Sequence, residues 1–199
     1  MELSRRDLLA TMGTAGALGV AGCLDFAAGE GPQGPDGEID DLRCDESGFH
    51  RLDQRFTEAT TSYVSAYTAD EARFELAAQG TEKTYGSDFR VVLRRLDQGA
   101  DVEIASREHV AIQRRTTSGW RDVRGTTDGN EATYPEETKT VGSGGGYTWS
   151  ITLRETDVAD TLSTADLTVC PDLGVGDYRF VYWGLPDEVA IGRQFELIG

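Results

Sequence analysis

The stretch Tyr147-Thr-Trp-Ser-Ile-Thr-Leu153 decides the fold class, because every odd position is apolar and every even position is Ser or Thr. A period of two is the pattern of a strand with one buried face. Phe89-Arg-Val-Val-Leu93 and Phe195-Glu-Leu197 alternate in a similar way. Tyr178-Arg-Phe-Val-Tyr-Trp183 is apolar on both faces, which is typical of a central strand covered on both sides.

Glycine-containing turns separate these segments, among them Ser118-Gly119, Asp128-Gly129 and the run from Gly142 to Gly146. About seven to nine short strands at regular spacing predict an all-β, antiparallel Greek-key sandwich. Only residues 156–162 favour a short helix.

Charge limits the classes of partner. The 199 residues include 35 acidic and 19 basic side chains, for a net charge of −16, and only Lys83 and Lys139 are lysines. A chain with no basic stripe is a poor ligand for nucleic acid or for an anionic membrane surface. This acidic, lysine-poor composition resembles that of proteins from extreme halophiles, and an acidic protein of an ordinary organism is the alternative.

The amino terminus has the pattern of an export signal. Arg5 and Arg6 precede a weakly apolar run over residues 8–22, which is short for a membrane span. Ser4-Arg-Arg-Asp-Leu-Leu9 resembles a twin-arginine signal, with Leu8 where phenylalanine is usual.

The end of this run, Val20-Ala-Gly-Cys23, resembles a lipobox, although Leu is commoner than Val at its first position. The resemblance implies that Cys23 becomes the first mature residue and carries a lipid. Plain cleavage, with Cys23 an ordinary thiol, is the alternative. We therefore expect a signal peptide over residues 1–22 and a lipid anchor in the cell membrane, with the protein facing the exterior.

Residues 23–48 are rich in Gly, Pro and acidic side chains and have no apolar period, so they predict a flexible tether. The sandwich is expected over residues 49–199. If Cys23 is lipidated, Cys44 and Cys170 remain in an exported protein, where disulfides persist. We expect them to form an intrachain disulfide; two free thiols or a link between molecules are the alternatives.

Leu173-Gly-Val-Gly176-Asp-Tyr178 resembles the tyrosine corner of Greek-key sandwiches, with Gly176 and Tyr178 at its defining positions. This motif, with Ser118-Gly-Trp120 and Tyr147-Thr-Trp149 before it, resembles prokaryotic Ig-like domains. That family includes the intracellular-proteinase-inhibitor type and occurs on haloarchaeal surface lipoproteins. The resemblance covers about residues 57–199 and implies a non-enzymatic domain.

The sequence contains no catalytic set and no cofactor motif. His50 and His109 are the only histidines, which leaves too few ligands for blue copper and no zinc motif. The pattern places His109 on the solvated face of a strand. Residues 36–41 and 128–137 are acidic loops in which a calcium site stays open, although neither has EF-hand spacing.

The aromatic residues offer one candidate partner site. Trp149 is in phase with the core, whereas Trp183 lies on the opposite face of its strand from Phe180 and Tyr182. We name Trp183 and Tyr182 as candidate partner-binding residues, because an exposed tryptophan beside Tyr85 or Tyr134 would mark a binding surface.

Together these features predict a lipid-anchored, non-catalytic binding or envelope module whose partner is a protein or a surface polymer. One alternative is a protease inhibitor that presents the segment from Gly125 to Gly146, and another is a subunit accessory to a membrane complex.

Overall fold

The computed structural model describes residues 31–63, 66–69 and 72–199. Arg5, Arg6 and Cys23 lie outside the described residues. The described part of the chain forms one short α-helix, α1 (Glu155–Ala159), and two single-turn 3-10 helices, Glu58–Thr60 and Pro186–Glu188, within a nearly all-β molecule. Its strands, in chain order, are β1 (His50–Arg51), β2 (Thr61–Ser62), β3 (Ala66–Ala69), β4 (Ala72–Ala78), β5 (Glu82–Thr84), β6 (Asp88–Arg95), β7 (Val102–Ala105), β8 (Val110–Thr116), β9 (Gly119–Asp122), β10 (Arg124–Thr126), β11 (Thr138–Val141), β12 (Gly146–Thr152), β13 (Leu167–Val169), β14 (Gly176–Tyr182) and β15 (Ala190–Ile198).

Two larger sheets form the sandwich. The first has the order β12-β6-β4-β3, and the second has the order β2-β15-β14-β8-β9, with β5 also paired to β15. β2 and β5 run parallel to β15, whereas the other neighbours are antiparallel. This order is that of an Ig-like Greek-key sandwich, so the predicted fold class is confirmed.

Shorter strands account for the larger number of elements than the sequence predicts. Among the described residues, β1, β10 and β13 form a small sheet, and β7 pairs with β11. These strands have two to four residues each, which is too few for a period of two to stand out in the sequence.

The core lies between the two larger sheets, where their inward faces meet. Alternation along β6, β12 and β14 places Val91, Trp149 and Phe180 inside, each at most 3% exposed. The indole N–H of Trp149 donates to the carbonyl of Arg107 at 2.9 Å, so this buried ring keeps its hydrogen bond. The predicted core position of Trp149 is confirmed.

The tyrosine corner forms as the motif predicts. The hydroxyl of Tyr178, at the start of β14, donates to the carbonyl of Gly174 at 2.8 Å and accepts from its N–H at 3.1 Å. Gly176 has a φ of 154°, a conformation that a residue with a side chain rarely adopts. This glycine allows the chain to turn into β14 above the buried Tyr178.

A disulfide joins Cys44 to Cys170, as predicted, with a sequence separation of 126 residues. The guanidinium of Arg51 lies beside it and donates to the carbonyls of Cys170 and Leu42 at 2.8 and 2.7 Å. These bonds fasten the segment that enters the domain to the strand region before β14.

The predicted tether is shorter than the composition indicates. The N–H groups of Gly34 and Gly37 donate to the carbonyls of Leu173 and Val175 at 2.9 and 3.1 Å, and Leu42 is 5% exposed. A side chain at Gly34 would collide with the backbone of Asp172, so glycine allows the two chains to lie this close. The expectation of a flexible tether over residues 23–48 is therefore corrected from Gly34 onward, while 23–30 lie outside the described residues and the contacts cited here do not include 31–33.

Residues 54–63 cover the outer face of the second sheet, opposite the core. Phe56 packs with Val181 in a small separate apolar cluster, and Trp183 lies against this cluster. The guanidinium of Arg179, fully buried on the same face, lies 4.7 Å from the ring centroid of Trp120. The covered face explains why residues 178–182 of β14 are buried on both sides of the strand.

Candidate functional site

Trp183 follows the last residue of β14 and lies where the cover over the outer sheet face ends. Its backbone N–H donates to the carbonyl of His109 at 3.0 Å, which joins the end of β14 to the start of β8. The Trp183 side chain is partly exposed. It therefore presents part of an aromatic ring at one end of the sandwich.

Three aromatic rings from distant parts of the sequence meet at this end. The ring centroid of Trp183 lies 4.3 Å from that of His109 and 4.9 Å from that of Tyr134, with interplanar angles of 61° and 80°. The centroids of His109 and Tyr134 are 5.6 Å apart. Edge-to-face contacts of this kind fix the orientation of the indole ring. Trp183 thus lies beside Tyr134, one of the two neighbours that the sequence analysis names.

A cavity of about 650 Å³ opens beside Trp183, and we call it the Trp183 pocket. One part of its lining is aromatic and apolar, and another part is charged. The lining residues are Arg55, Phe56, Thr57, Thr60, Glu103, Ile104, Ala105, His109, Thr138, Trp183, Gly184, Leu185, Pro186 and Glu188. A volume of this size is ordinary for a small-molecule site.

The turn at the edge of this pocket has an unusual backbone. Asp187 and Glu188 have φ values of 60° and 56°, in the left-handed region that residues with side chains seldom occupy. Two consecutive residues of this kind cost free energy, and such conformations cluster at binding sites. Pro186 begins the turn, and Leu185 before it is buried, so the turn is held from its amino-terminal side.

Burial controls the ionisation of the two rings that support Trp183. It lowers the pKa of His109, so the imidazole is neutral at pH 7. It also raises the pKa of the Tyr134 hydroxyl, which stays protonated. The aromatic side of the pocket is therefore uncharged, and charge comes from Arg55, Glu103 and Glu188.

Tyr182 does not join the candidate partner site. Its side chain is fully buried, and its hydroxyl donates to the carbonyl of Ala105 at 2.7 Å. The prediction that Tyr182 contacts a partner is wrong, because successive side chains of a strand point to opposite faces and Tyr182 points into the core. Of the two aromatic candidates, only Trp183 remains at the surface.

The expectation for His109 is also corrected. The strand pattern predicts a solvated position for His109, whereas this residue is half-buried and packs against Trp183 and Tyr134. Because His109 alternates with the core residue Val110, its side chain lies on the face away from the core, as predicted. That face is covered there by Tyr134, which lies 25 positions away in the sequence. No local pattern could indicate that contact.

The segment from Gly125 to Gly146 is held to the domain rather than projecting as a free loop. It contains β11 and part of β10, and Ala132 is 7% exposed in the main core. The hydroxyl of Thr164 also donates to the carbonyl of Thr133. These contacts do not favour a protruding inhibitory loop.

The two acidic loops use carboxylate oxygens for internal hydrogen bonds. Asp128 accepts from the backbone and side-chain nitrogens of Asn130 at 3.0 and 2.8 Å, and Asp36 accepts from the N–H of Val175 at 3.2 Å. Among the residues that the structure describes, the one group with metal-ligand spacing is Cys44, Glu46 and Cys170, whose two sulfurs are already joined in the disulfide.

No protein-family model matches the chain, and no curated protein matches it. Among solved structures, the chain is similar to a mutant beta-glucosidase from Listeria innocua in complex with laminaribiose, at 16% identity and a TM-score of 0.34. The match covers 81% of this chain and 22% of that chain, so this chain spans about a fifth of the enzyme's length. Within the described residues, no helix has the length and apolar character needed to cross a membrane.

Proposed function

We propose that this chain is a lipid-anchored, non-catalytic binding module of the cell surface, with the Trp183 pocket as its binding site. The observation that carries the proposal is the partly exposed Trp183 ring, which neighbouring rings orient beside a cavity of about 650 Å³. A rigid aromatic ring at the edge of a pocket is a common anchor for a bound partner.

The position of the pocket fits an anchored protein. The amino-terminal segment reaches the domain at Gly37 and Val175, just before β14 begins, whereas Trp183 follows the other end of β14. Seven strand residues span about 23 Å, so the entering chain and the pocket lie at opposite ends of the strand. With the lipid on Cys23, we expect the pocket to face away from the membrane.

The anchor is tested by mass spectrometry of the protein from native membranes. We expect a mature chain that starts at Cys23 and carries added lipid mass. A Cys23→Ser variant serves as the control and is expected to leave the membrane fraction. A soluble wild-type product with an unmodified Cys23 would contradict the anchor.

The orientation is tested by labelling intact cells with a large maleimide reagent. A Thr138→Cys variant places a thiol at the pocket, and a Gln33→Cys variant places one at the end where the chain enters. We expect faster labelling at position 138. Protection of position 138 with rapid labelling at position 33 would show that the pocket faces the membrane.

The binding role is tested with the soluble domain, which we define as residues 31–199, by following the indole N–H signals of its tryptophans in an NMR spectrum. A panel of organic cations, methyl glycosides and short peptides is added in turn, and the signal of Trp183 is expected to shift with at least one class. The buried Trp149 is the internal control and should not respond. If no class moves the Trp183 signal, the pocket is not a binding site.

A further inference from the structure

We propose that the Trp183 pocket binds an organic cation, an ammonium or guanidinium group that lies between the Trp183 ring and the carboxylates of Glu103 and Glu188. This inference rests on the proposed function, since it names the ligand class of that binding site. The bound group could belong to a small molecule or to a basic side chain of a partner, because both present the same charge to the pocket.

The aromatic side of the pocket favours a cation. Tryptophan has the strongest attraction for a cation among the aromatic side chains, because of the negative potential over its ring face. The neighbouring imidazole of His109 is neutral at pH 7, since burial lowers its pKa. The rings that form this side therefore add no positive charge that would repel the ligand.

The charged side of the pocket points the same way. Glu103 and Glu188 line it from two separate elements, β7 and the turn after β14, and both are exposed. Among the described residues, no salt bridge joins either carboxylate to a cation. Arg55 is the one lysine or arginine in the lining, and its guanidinium lies 3.9 Å from Glu131 outside the pocket. A ligand cation would supply the positively charged partner that these two carboxylates lack.

The hydroxyl groups of the pocket favour a cation over a sugar. Sugars are recognised through several side chains that donate and accept hydrogen bonds at fixed positions. The hydroxyls of Thr57 and Thr60 already bond to each other at 3.0 Å, and the Thr60 hydroxyl also lies 3.3 Å from the Thr57 carbonyl. The Thr138 hydroxyl lies 3.5 Å from a Glu103 oxygen. The free polar groups that remain are mainly carboxylate acceptors, which suit a donor that carries positive charge.

The charge of the whole chain acts in the same direction. A net charge of −16 raises the concentration of cations near the surface and speeds their association at low ionic strength. This effect does not choose a site, because it acts over the entire surface. The aromatic ring and the two carboxylates, neither of which has a salt-bridge partner among the described residues, provide the local preference.

The test compares two probes of the same shape. Choline carries a quaternary ammonium group, and 3,3-dimethylbutan-1-ol replaces its nitrogen with carbon and is neutral. Each is titrated into the soluble domain at constant ionic strength, with choline chloride replacing NaCl, while the indole signal of Trp183 is followed. We expect choline to bind about fivefold more tightly than the neutral alcohol.

Glutamate-to-glutamine variants inside and outside the pocket test which carboxylates attract the bound cation. Glu103→Gln and Glu188→Gln each remove one carboxylate charge with little change of shape, and each is expected to weaken choline binding about two- to fivefold. Glu82→Gln makes the same charge change on the exposed strand β5, away from the pocket, and should leave binding unchanged. Equal weakening by all three variants would show a general charge effect and overturn the assigned site.

The neutral probes separate failure of the ligand class from failure of the binding site. If the alcohol or a methyl glycoside shifts Trp183 as strongly as choline does, the cation assignment is wrong and the binding module stands. If no probe shifts Trp183, the cation assignment and the binding role of the pocket both fall. Where choline binds, acetyl-arginine amide and the uncharged acetyl-citrulline amide distinguish the two sources of the cation, a partner's side chain and a small molecule. Tighter binding of the arginine compound than of choline indicates a partner's side chain, and the reverse indicates a small molecule.

Discussion

The guanidinium of Arg179 is held by both carboxylate oxygens of Glu58, 121 positions earlier in the chain, at 2.5 and 3.0 Å. Arg179 is fully buried on the outer face of the second sheet, while the Glu58 side chain is 54% exposed. The hydrogen bonds from Arg179 lower the pKa of Glu58 and keep it ionised. This pair fastens residues 54–63 over the sheet, next to the Trp183 pocket.

Glu58→Gln is expected to lower the free energy of unfolding by about 1–2 kcal/mol, because Arg179 would lose its negative partner while remaining buried. The loss should be smaller than for a fully buried pair, since water already reaches the Glu58 carboxylate. Urea unfolding of the soluble domain measures the change. Glu82→Gln, an exposed change of the same kind, is the control, and equal effects of the two variants would contradict a special role for the pair.

Tyr178→Phe is expected to destabilise the domain by about 1–3 kcal/mol, because it leaves the buried N–H and carbonyl of Gly174 without the tyrosine hydroxyl. Thermal and urea unfolding measure the loss. Tyr67→Phe removes a hydroxyl from a side chain that is 36% exposed, and it should have little effect. A Tyr178→Phe variant as stable as the wild type would show that the corner does not stabilise the fold.

Asp97→Asn tests how the segment that follows β6 contributes to stability in acid. The guanidinium of Arg95 and the backbone N–H groups of Arg73 and Gly99 hold the pKa of Asp97 well below its usual range. A carboxyl group with a lowered pKa in the folded state stabilises that state at pH values above its unfolded pKa, near 3.8. This stabilisation is lost as the pH falls from there toward the folded pKa.

We therefore expect Asp97→Asn to melt at a lower temperature than the wild type at pH 7, with the difference narrowing below about pH 4. Scanning calorimetry between pH 7 and the most acidic pH that the domain tolerates measures it. The exposed Asp88→Asn change is the control and should show a small, constant difference. A constant difference for Asp97→Asn would mean that its charge does not contribute.

Salt is expected to stabilise the soluble domain. Folding brings the carboxylates of a chain with net charge −16 closer together, and their repulsion weakens as the Debye length falls to about 3 Å at 1 M salt. The melting temperature should rise steadily from dilute buffer to molar KCl. A triple variant that combines Glu131→Gln, Glu136→Gln and Glu137→Gln should show a smaller increase of melting temperature with salt. A flat profile for the wild type would contradict the adaptation to salt that its composition predicts.

The residues of the sandwich core could be read from the sequence because their signals are local. These signals depend on neighbouring residues or on simple counting. They are the alternation through Trp149, the motif of Gly176 and Tyr178, and the pair of cysteines, Cys44 and Cys170. Burial of one face imposes a period of two wherever a strand is long enough, so β6, β12 and β14 were predictable. The strands β1, β7, β10, β11 and β13, of two to four residues each, were not, because so short a run shows no clear period.

The sequence by itself determined the strand pattern, the tyrosine corner and which cysteines could pair. Only the tertiary structure decided what lies at the far end of β14, since His109, Tyr134 and Trp183 meet through sheet pairing and a loop contact. The same reason applies to Arg179, whose partner Glu58 comes from a distant covering segment. Contacts between side chains far apart in sequence depend on the register and packing of several strands at once, and no local pattern records them.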